Sequence, residues 1–363
     1  MVTGFVRGLR LSGLFYEEAG GPILKSSFPG LHHSAALIGY GSEVLGYDTA
    51  RSTDHEWGPR LLLFLSEEDY PGYADSVVET LRHELPREFR GYPTHFGAPD
   101  EEGVRLAEER ASGPVDHKVE VHTVGGFFSA WTGLDPFEDW GPAEWLCVPQ
   151  QRLLELTAGR VYHDGLGELG EARARLAYYP RDVWLYLLAA QWGRVGQQEA
   201  FVGRAGDVGD EPGSRLVAAS IVRDLMGLCF LMEKEYAPYA KWFGTAFSRL
   251  ACAPRLEPVL DAVLRADSWE EREGRLSEAY GVVSGMHNAL GVTPPLSTEV
   301  SRYHDRPYLV IHAGRFAAAL ERAIEDPEVL SVPHKAGSVD QICDSTDVLA
   351  DPDTYLKLRV LFE

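Results

Sequence analysis

The sequence predicts an α+β protein in which an N-terminal mixed sheet with helices is followed by an all-α helical bundle. Up to about residue 150, short apolar runs alternate with turns rich in Gly, Pro and Asp, and long helical patterns follow. The length of 363 residues is about twice that of a usual domain, which favours two domains. We therefore expect one domain over 1–155 and a second over 181–363, joined by a linker over 156–180.

The predicted sheet is built from three apolar runs of strand length. These runs are Ala35–Ile38, Arg60–Leu65 and Val119–Val124. A helical pattern over Tyr73–Glu84 lies between the second and the third run, so strands and helices are interleaved in this domain.

The second domain is predicted from helical patterns with recognisable starts. Asp182–Gln198 follows Pro180, and proline suits the first turn of a helix. Ser214 can cap an almost wholly apolar helix over Arg215–Tyr236, and Ser268 begins a capping box before another helix. An apolar helix among amphipathic ones is typical of the centre of a bundle.

The charge balance excludes some classes of partner. With 34 Lys and Arg against 55 Asp and Glu, the formal net charge is −21. Such a surface repels bulk DNA, RNA and anionic lipid, and it attracts metal ions and amine-bearing molecules. We expect no bulk nucleic acid and no membrane among the partners.

Cysteine spacing and hydropathy indicate a cytoplasmic protein. The four cysteines are far apart and form no C-x-x-C motif, which is typical of reduced thiols. The N-terminal twenty residues mix Arg and Glu with apolar residues, so we expect no signal peptide. Because no run approaches 18 apolar residues, we expect no membrane span.

One segment carries the features of a phosphate and metal site. The strand that ends near Ile38 leads into Gly41-Ser42, and Asp54-x-Glu56 comes shortly before the next strand. Gly41 allows close backbone approach, and Ser42 with the following amides can hold phosphate oxygens. On an extended segment Asp54 and Glu56 point the same way, as paired carboxylates for Mg²⁺. Pro59 disfavours a central strand, so a bulge or loop is the alternative backbone.

This arrangement resembles the active site of the polymerase-β-like nucleotidyltransferase superfamily, which includes the aminoglycoside and lincosamide nucleotidyltransferases. Gly41-Ser42 and Asp54-x-Glu56 match its motifs, and Glu120 matches the third acid on a later strand. The whole chain also resembles the DUF4037 proteins, through segments such as 52–60, 179–184, 238–247 and 337–341. The alternative reading of Asp54-x-Glu56 is an acidic surface turn.

The resemblance implies nucleotidyl transfer with two Mg²⁺ ions. It assigns Asp54 and Glu56 to both ions and Glu120 to the ion that activates the acceptor, or to the role of general base. The donor would be ATP or another NTP, and pyrophosphate would leave. The acceptor would be a hydroxyl of a small and possibly cationic molecule.

The resemblance also implies that the helical domain contributes to the site. Lys241, next to Tyr239, is the first candidate for a triphosphate contact, and Arg204 is the second. Glu199 is a possible acceptor-side base, for which a solvated helix position is the alternative. His122 would share a strand face with Glu120.

A non-catalytic nucleotide-binding or interaction module that keeps the nucleotidyltransferase fold is the competing hypothesis. Catalytic activity separates the two, because only the enzyme releases pyrophosphate. The acceptor, the nucleotide and the oligomeric state do not follow from the sequence.

Overall fold

The computed structural model of the protein describes residues 4–53, 56–101, 103–333 and 335–363. Its contacts divide the chain into two compact units. Unit 1 comprises Met1–Asp139 and Arg152–Ala177, and unit 2 comprises Trp140–Gln151 and Tyr178–Glu363. The chain thus passes between the units at three points, and the predicted division at 155 and 181 stays a prediction.

The helices occur throughout the chain and dominate its second half. In chain order they are α1 (Gly8–Phe15), α2 (Gly21–Ser27), α3 (Tyr70–Glu84), α4 (Val124–Thr132), α5 (Pro142–Cys147), α6 (Gln150–Thr157), α7 (Glu168–Arg175), α8 (Arg181–Gln198), α9 (Phe201–Asp207), α10 (Glu211–Glu233), α11 (Ala240–Phe247), α12 (Ala253–Arg265), α13 (Trp269–Ala289), α14 (Gly314–Glu321), α15 (Pro327–Leu330), α16 (Val339–Ile342), α17 (Thr346–Ala350) and α18 (Pro352–Tyr355). A π-helical turn (Tyr16–Gly20) joins α1 to α2, and a 3-10 helix (Leu356–Leu361) follows α18.

The strands are short, and most of them lie in unit 1. They are β1 (Ser34–Leu37), β2 (Arg60–Phe64), β3 (Glu88–Phe89), β4 (Tyr92–Pro93), β5 (His95–Phe96), β6 (Ala107–Glu108), β7 (Lys118–His122), β8 (Arg160–Asp164), β9 (Ser301–Arg302) and β10 (Leu309–Val310).

Unit 1 is organised around a mixed sheet with the order β7-β2-β1-β8. β1 is antiparallel to both β2 and β8, whereas β2 and β7 are parallel. The three apolar runs of the sequence thus form three adjacent strands, and the predicted α+β class with an N-terminal mixed sheet is confirmed.

One face of this sheet carries the hydrophobic core of unit 1. Leu61 and Leu63 of β2 pack with Val77 and Leu81 of α3 and with side chains of α1. Because side chains alternate along a strand, the remaining side chains of β2 and β7 point to the other face. That second face bears the candidate site.

Unit 2 is helical, with α8, α10, α13 and α14 at its centre. Trp192 of α8 is fully buried and stacks on Phe316 of α14 with ring centroids 4.4 Å apart. α10 is longer at its start than predicted, because Asp210 and not Ser214 caps it through the Gly213 amide. Ser214 is buried and instead accepts a hydrogen bond from Arg272 at 2.7 Å. Within the described residues, no helix is long and apolar enough to cross a membrane.

Candidate functional site

The candidate site lies where the edge strand β7 meets β2. The valines of β7 pack in the core, so Lys118, Glu120 and His122 project from the opposite face. Parallel pairing with β2 places Arg60 beside Lys118 in the register. The strand face that was predicted to carry Glu120 and His122 therefore carries a lysine as well.

Glu56 reaches this face from the loop that precedes β2. Its φ of +48° puts it in the left-handed region, which residues other than glycine seldom adopt. The expectation of an extended Asp54–Glu56 segment is wrong at Glu56, because this backbone turns instead of continuing as a strand. Asp54 lies outside the described residues.

Lys118 links the two predicted acids. Its Nζ lies 2.9 Å from Oε1 of Glu56 and 3.5 Å from Oε1 of Glu120. Tyr40 donates its hydroxyl to Oε2 of Glu56 at 2.9 Å, and Nε2 of His122 lies 3.4 Å from Oε2 of Glu120. We call these five residues, Tyr40, Glu56, Lys118, Glu120 and His122, the sheet-face cluster.

The surroundings keep the cluster charged. The hydrogen bond to His122 lowers the pKa of Glu120, and this effect outweighs burial, which acts in the opposite direction. Burial alone would lower the pKa of Lys118, but the hydrogen bond to Glu56 and the nearby acidic groups raise it overall. Burial raises the pKa of Tyr40, so its hydroxyl stays protonated and donates to Glu56. At neutral pH Glu120 is therefore a carboxylate and Lys118 an ammonium ion.

Gly41 directly precedes a turn beside the cluster, and Ser42 is the first residue of that turn. The turn spans residues 42–46 and is closed by Ser42, whose carbonyl accepts from the Tyr47 amide at 2.8 Å. Gly41 has a φ of +125°, and a β-carbon there would overlap the side chains of Arg60 and Glu43. We expected a glycine here to allow close approach of a phosphate. The structure shows a different requirement, because any larger residue at position 41 would overlap the ion pair between Arg60 and Glu43.

That ion pair anchors the turn to β2. The Nε of Arg60 donates to Glu43 at 2.8 Å, and both side chains are less than a tenth exposed. A second nitrogen of Arg60 donates to the carbonyl of Tyr40 at 2.5 Å, and the guanidinium lies 4.6 Å from the centre of the Tyr40 ring. Arg60 therefore fixes the ring that donates to Glu56.

A cavity of about 120 Å³ opens beside the cluster. Its floor includes Arg60, Lys118, Glu120 and His122, and aromatic rings of Tyr40, Phe127 and Trp131 form a wall. Trp131 stacks on Phe127 at 5.2 Å and lies nearly parallel to Tyr40 at 6.1 Å. The cavity thus combines flat apolar surfaces with charged groups, the combination that a nucleobase or sugar ring with an anionic substituent requires.

Sequence reasoning missed Lys118, Arg60, Tyr40 and Trp131. A signal for Lys118 was present, because Lys118, Glu120 and His122 alternate with valines and must share one strand face. No comparable local signal exists for Trp131, which reaches the cavity from α4.

The donor chemistry of the cluster suits a hard cation. Glu56 and Glu120 present carboxylate oxygens to one point, and carboxylates are the ligands that Mg²⁺ takes. Within the part of the chain that the structure describes, no group of three or more His, Cys, Asp or Glu side chains is placed to hold a metal ion. Asp54, the remaining predicted ligand, would have to complete the set.

Residues 145–243 match the family whose description is a domain of unknown function, DUF4037. Over these residues, which we call the DUF4037-like segment, the chain is similar to that family. The segment begins in α5 and ends in α11, and it covers about a quarter of the chain. All residues of the sheet-face cluster precede the DUF4037-like segment.

Comparison with solved structures and with curated proteins adds one weak structural similarity. The crystal structure of a nucleotidyltransferase-like protein from Exiguobacterium sibiricum 255-15 is 10% identical in sequence, and the match covers 78% of this chain and 74% of that one. Its TM-score of 0.30 is too low to transfer a site or a function. No curated protein matches the sequence.

The predicted residues of the second half lie in the DUF4037-like segment and in unit 2. Lys241 is exposed on α11 with its Nζ 5.1 Å from the ring centre of Trp242. Tyr239 precedes α11, is 39% exposed, and donates its amide to Gln151 at 2.9 Å. Arg204 is exposed on α9, where it lies over the ring of Phe201. Lys241 and Arg204 are therefore on different helices of this unit.

Glu199, which also lies in the DUF4037-like segment, is buried. It is 8% exposed, so it is not a solvated helix residue. Its two carboxylate oxygens accept the amides of Ile311 at 2.9 Å and Ala313 at 3.1 Å. Burial raises its pKa to about 7, against the opposing effect of these amides. The carboxyl thus holds the segment between β10 and α14, which gives it a structural role.

Proposed function

We propose that this chain is a Mg²⁺-dependent nucleotidyltransferase. It would transfer a nucleoside monophosphate, with AMP from ATP as the first candidate, to a hydroxyl of a small-molecule acceptor and release pyrophosphate. The observation that carries the proposal is the meeting of Glu56 and Glu120 at one cation beside an aromatic-walled cavity.

Glu56 and Glu120, completed by Asp54, would hold two Mg²⁺ ions. Bound magnesium would neutralise the triphosphate and stabilise the oxygens that enter and leave the α-phosphorus. Lys118 and Arg60 add positive charge to the lining of the cavity. Arg60 is paired with Glu43, so Lys118 is the residue suited to a contact with phosphate oxygens.

Glu120 would act as the general base. Because its pKa is lowered, it is ionised at neutral pH and can accept the proton of the acceptor hydroxyl. The hydroxyl oxygen then bonds to the α-phosphorus, and the bond from that phosphorus to pyrophosphate breaks. His122, whose Nε2 lies 3.4 Å from Oε2 of Glu120, would orient this carboxylate.

The aromatic wall would bind a ring. A cavity of about 120 Å³ is smaller than the roughly 300–1,000 Å³ of pockets that enclose whole ligands. It therefore suits one ring system, stacked on Tyr40 or Trp131, with the rest of the ligand outside. Lys241, Tyr239 and Arg204 of the DUF4037-like segment stay candidates for triphosphate contacts. The net charge of −21 favours a neutral or cationic acceptor. The four widely spaced cysteines, which form no C-x-x-C motif, favour a cytoplasmic enzyme.

The test is calorimetric titration of ATP, GTP, CTP and UTP with and without Mg²⁺, followed by a pyrophosphate-release assay with a panel of hydroxyl acceptors that includes aminoglycosides. We expect Mg²⁺-dependent binding of one nucleotide that falls at least about tenfold in Glu120→Gln. Glu88→Gln, which changes an exposed carboxylate of the same unit, is the matched control and should bind as the wild type does. Equal binding and equal release by Glu120→Gln and the wild type would rule out the assignment.

One observation favours the second candidate, a non-catalytic nucleotide-binding module. The ammonium of Lys118 lies between the two carboxylates, where a catalytic ion would bind. Mg²⁺-dependent nucleotide binding without pyrophosphate release from any acceptor would support this module over the enzyme.

A further inference from the structure

The ammonium of Lys118 has the surroundings of a bound cation. Three oxygens lie within 3.5 Å of its Nζ: Oε1 of Glu56 at 2.9 Å, the hydroxyl of Tyr40 at 3.4 Å, and Oε1 of Glu120 at 3.5 Å. Its side chain is only 12% exposed, so solvent screens these contacts weakly. Two carboxylates and a phenol oxygen are also a donor set for a divalent ion.

The neighbouring cationic groups cannot replace Lys118 in this position. Arg60 is committed to Glu43, to which it donates from Nε. His122 contacts Oε2 of Glu120, whereas Lys118 contacts Oε1. The attraction that holds Glu56 and Glu120 together therefore comes from Lys118.

We infer that Lys118 is an internal counter-ion that occupies the divalent-cation position and must be displaced before a metal ion can bind. The inference rests on the same carboxylates as the proposed function, but it does not require catalysis. A divalent ion alone must compete with a tethered ammonium, so it binds weakly to the wild type. An anionic ligand gives the displaced ammonium a new partner, so metal ion and anion bind cooperatively.

The experiment measures Mn²⁺ binding by electron paramagnetic resonance of the free ion, with no nucleotide present. In Lys118→Met two carboxylates lose their common cation, and we expect Mn²⁺ to bind at least about tenfold more tightly than in the wild type. Lys118→Arg keeps the charge and should show no such gain. Thermal unfolding of each variant checks that the fold is retained.

Lys335→Met is the matched control. Lys335 pairs with the single carboxylate of Glu321 at 2.6 Å and is 74% exposed, so its removal makes the same change in net charge without uncovering a carboxylate pair. The gain in Lys118→Met should also disappear when Glu56→Gln or Glu120→Gln is added. A gain no larger than that of Lys335→Met, or one that survives these additions, would overturn the inference.

Cooperativity provides a second readout. Inorganic triphosphate should tighten Mn²⁺ binding to the wild type at least about tenfold more than it does in Lys118→Met. Equal tightening in both proteins contradicts the displacement. These results separate the two proposals: a gain of Mn²⁺ binding together with no pyrophosphate release would keep the counter-ion and reject the transferase.

Discussion

Removing the charge of Glu199 should flatten the pH dependence of stability. The carboxyl is 8% exposed, and burial raises its pKa from the usual 4.5 to about 7. At about 1.4 kcal/mol per pH unit, this difference corresponds to about 3 kcal/mol between the protonated and ionised forms of the folded protein. The amides of Ile311 and Ala313 stabilise the ionised form, but burial costs more.

The sign follows from which state holds the proton more tightly. Between pH 4.5 and 7 the folded protein keeps the Glu199 proton and the unfolded chain releases it. Unfolding therefore releases a proton, so the stability that Glu199 contributes is complete below pH 4.5 and is lost as the pH rises through 7. The free energy of unfolding of the wild type should lose about 3 kcal/mol more than that of Glu199→Gln between pH 4.5 and 8.

Urea unfolding followed by tryptophan fluorescence measures this difference. Six of the eight tryptophans lie in unit 2, which contains Glu199, so the signal reports chiefly on that unit. Glu299→Gln, a substitution of an exposed glutamate in unit 2, is the control and should keep the pH dependence of the wild type. If Glu199→Gln keeps it as well, the carboxyl is not the buried acid that its contacts indicate.

Two further substitutions test the turn beside the cluster. Arg60→Met leaves Glu43 buried without its partner, so it should cost about 3–5 kcal/mol of unfolding free energy in urea, and adding Glu43→Gln should recover most of the loss. If adding Glu43→Gln recovers none of the lost unfolding free energy, Arg60 stabilises the fold by packing alone. Gly41→Ala should cost more than about 1 kcal/mol because of its positive φ and the overlap with Arg60 and Glu43. Gly30→Ala is its control, since Gly30 also has positive φ but open space around it; an equal cost at both glycines would exclude the overlap.

Much of the fold of unit 1 could be predicted because its strands follow local patterns of apolar and polar residues. The apolar runs of β1 and β2 have strand length, and the alternation in β7 fixes which side chains face the core. The start of α10 was harder to predict, because Asp210 and Ser214 are both favourable caps. Only the contact with Arg272 explains why Ser214 lies inside the helix.

The site depends on contacts that local spacing does not encode. Glu56 reaches Lys118 through a left-handed backbone conformation and across 62 positions of the chain. Glu199 was expected to be either solvated or catalytic. Its partners, the amides of residues 311 and 313, lie more than 110 positions away, so no local pattern predicts these hydrogen bonds. The resemblance proposed Glu120 from its place on β7, whereas the contacts of Glu120 with Lys118 and His122 required the folded structure.

The charges around β2 and β7 indicate why a metal ion and an anionic ligand should bind together. Glu43, Glu56 and Glu120 supply three negative charges, and Arg60 and Lys118 supply two positive ones. Among these described residues, one negative charge is left over, before His122 is counted. A divalent ion that displaces Lys118 changes this excess to one positive charge and frees an ammonium at the cavity wall. A phosphate group then neutralises the site, so each ligand removes the electrostatic cost that the other creates.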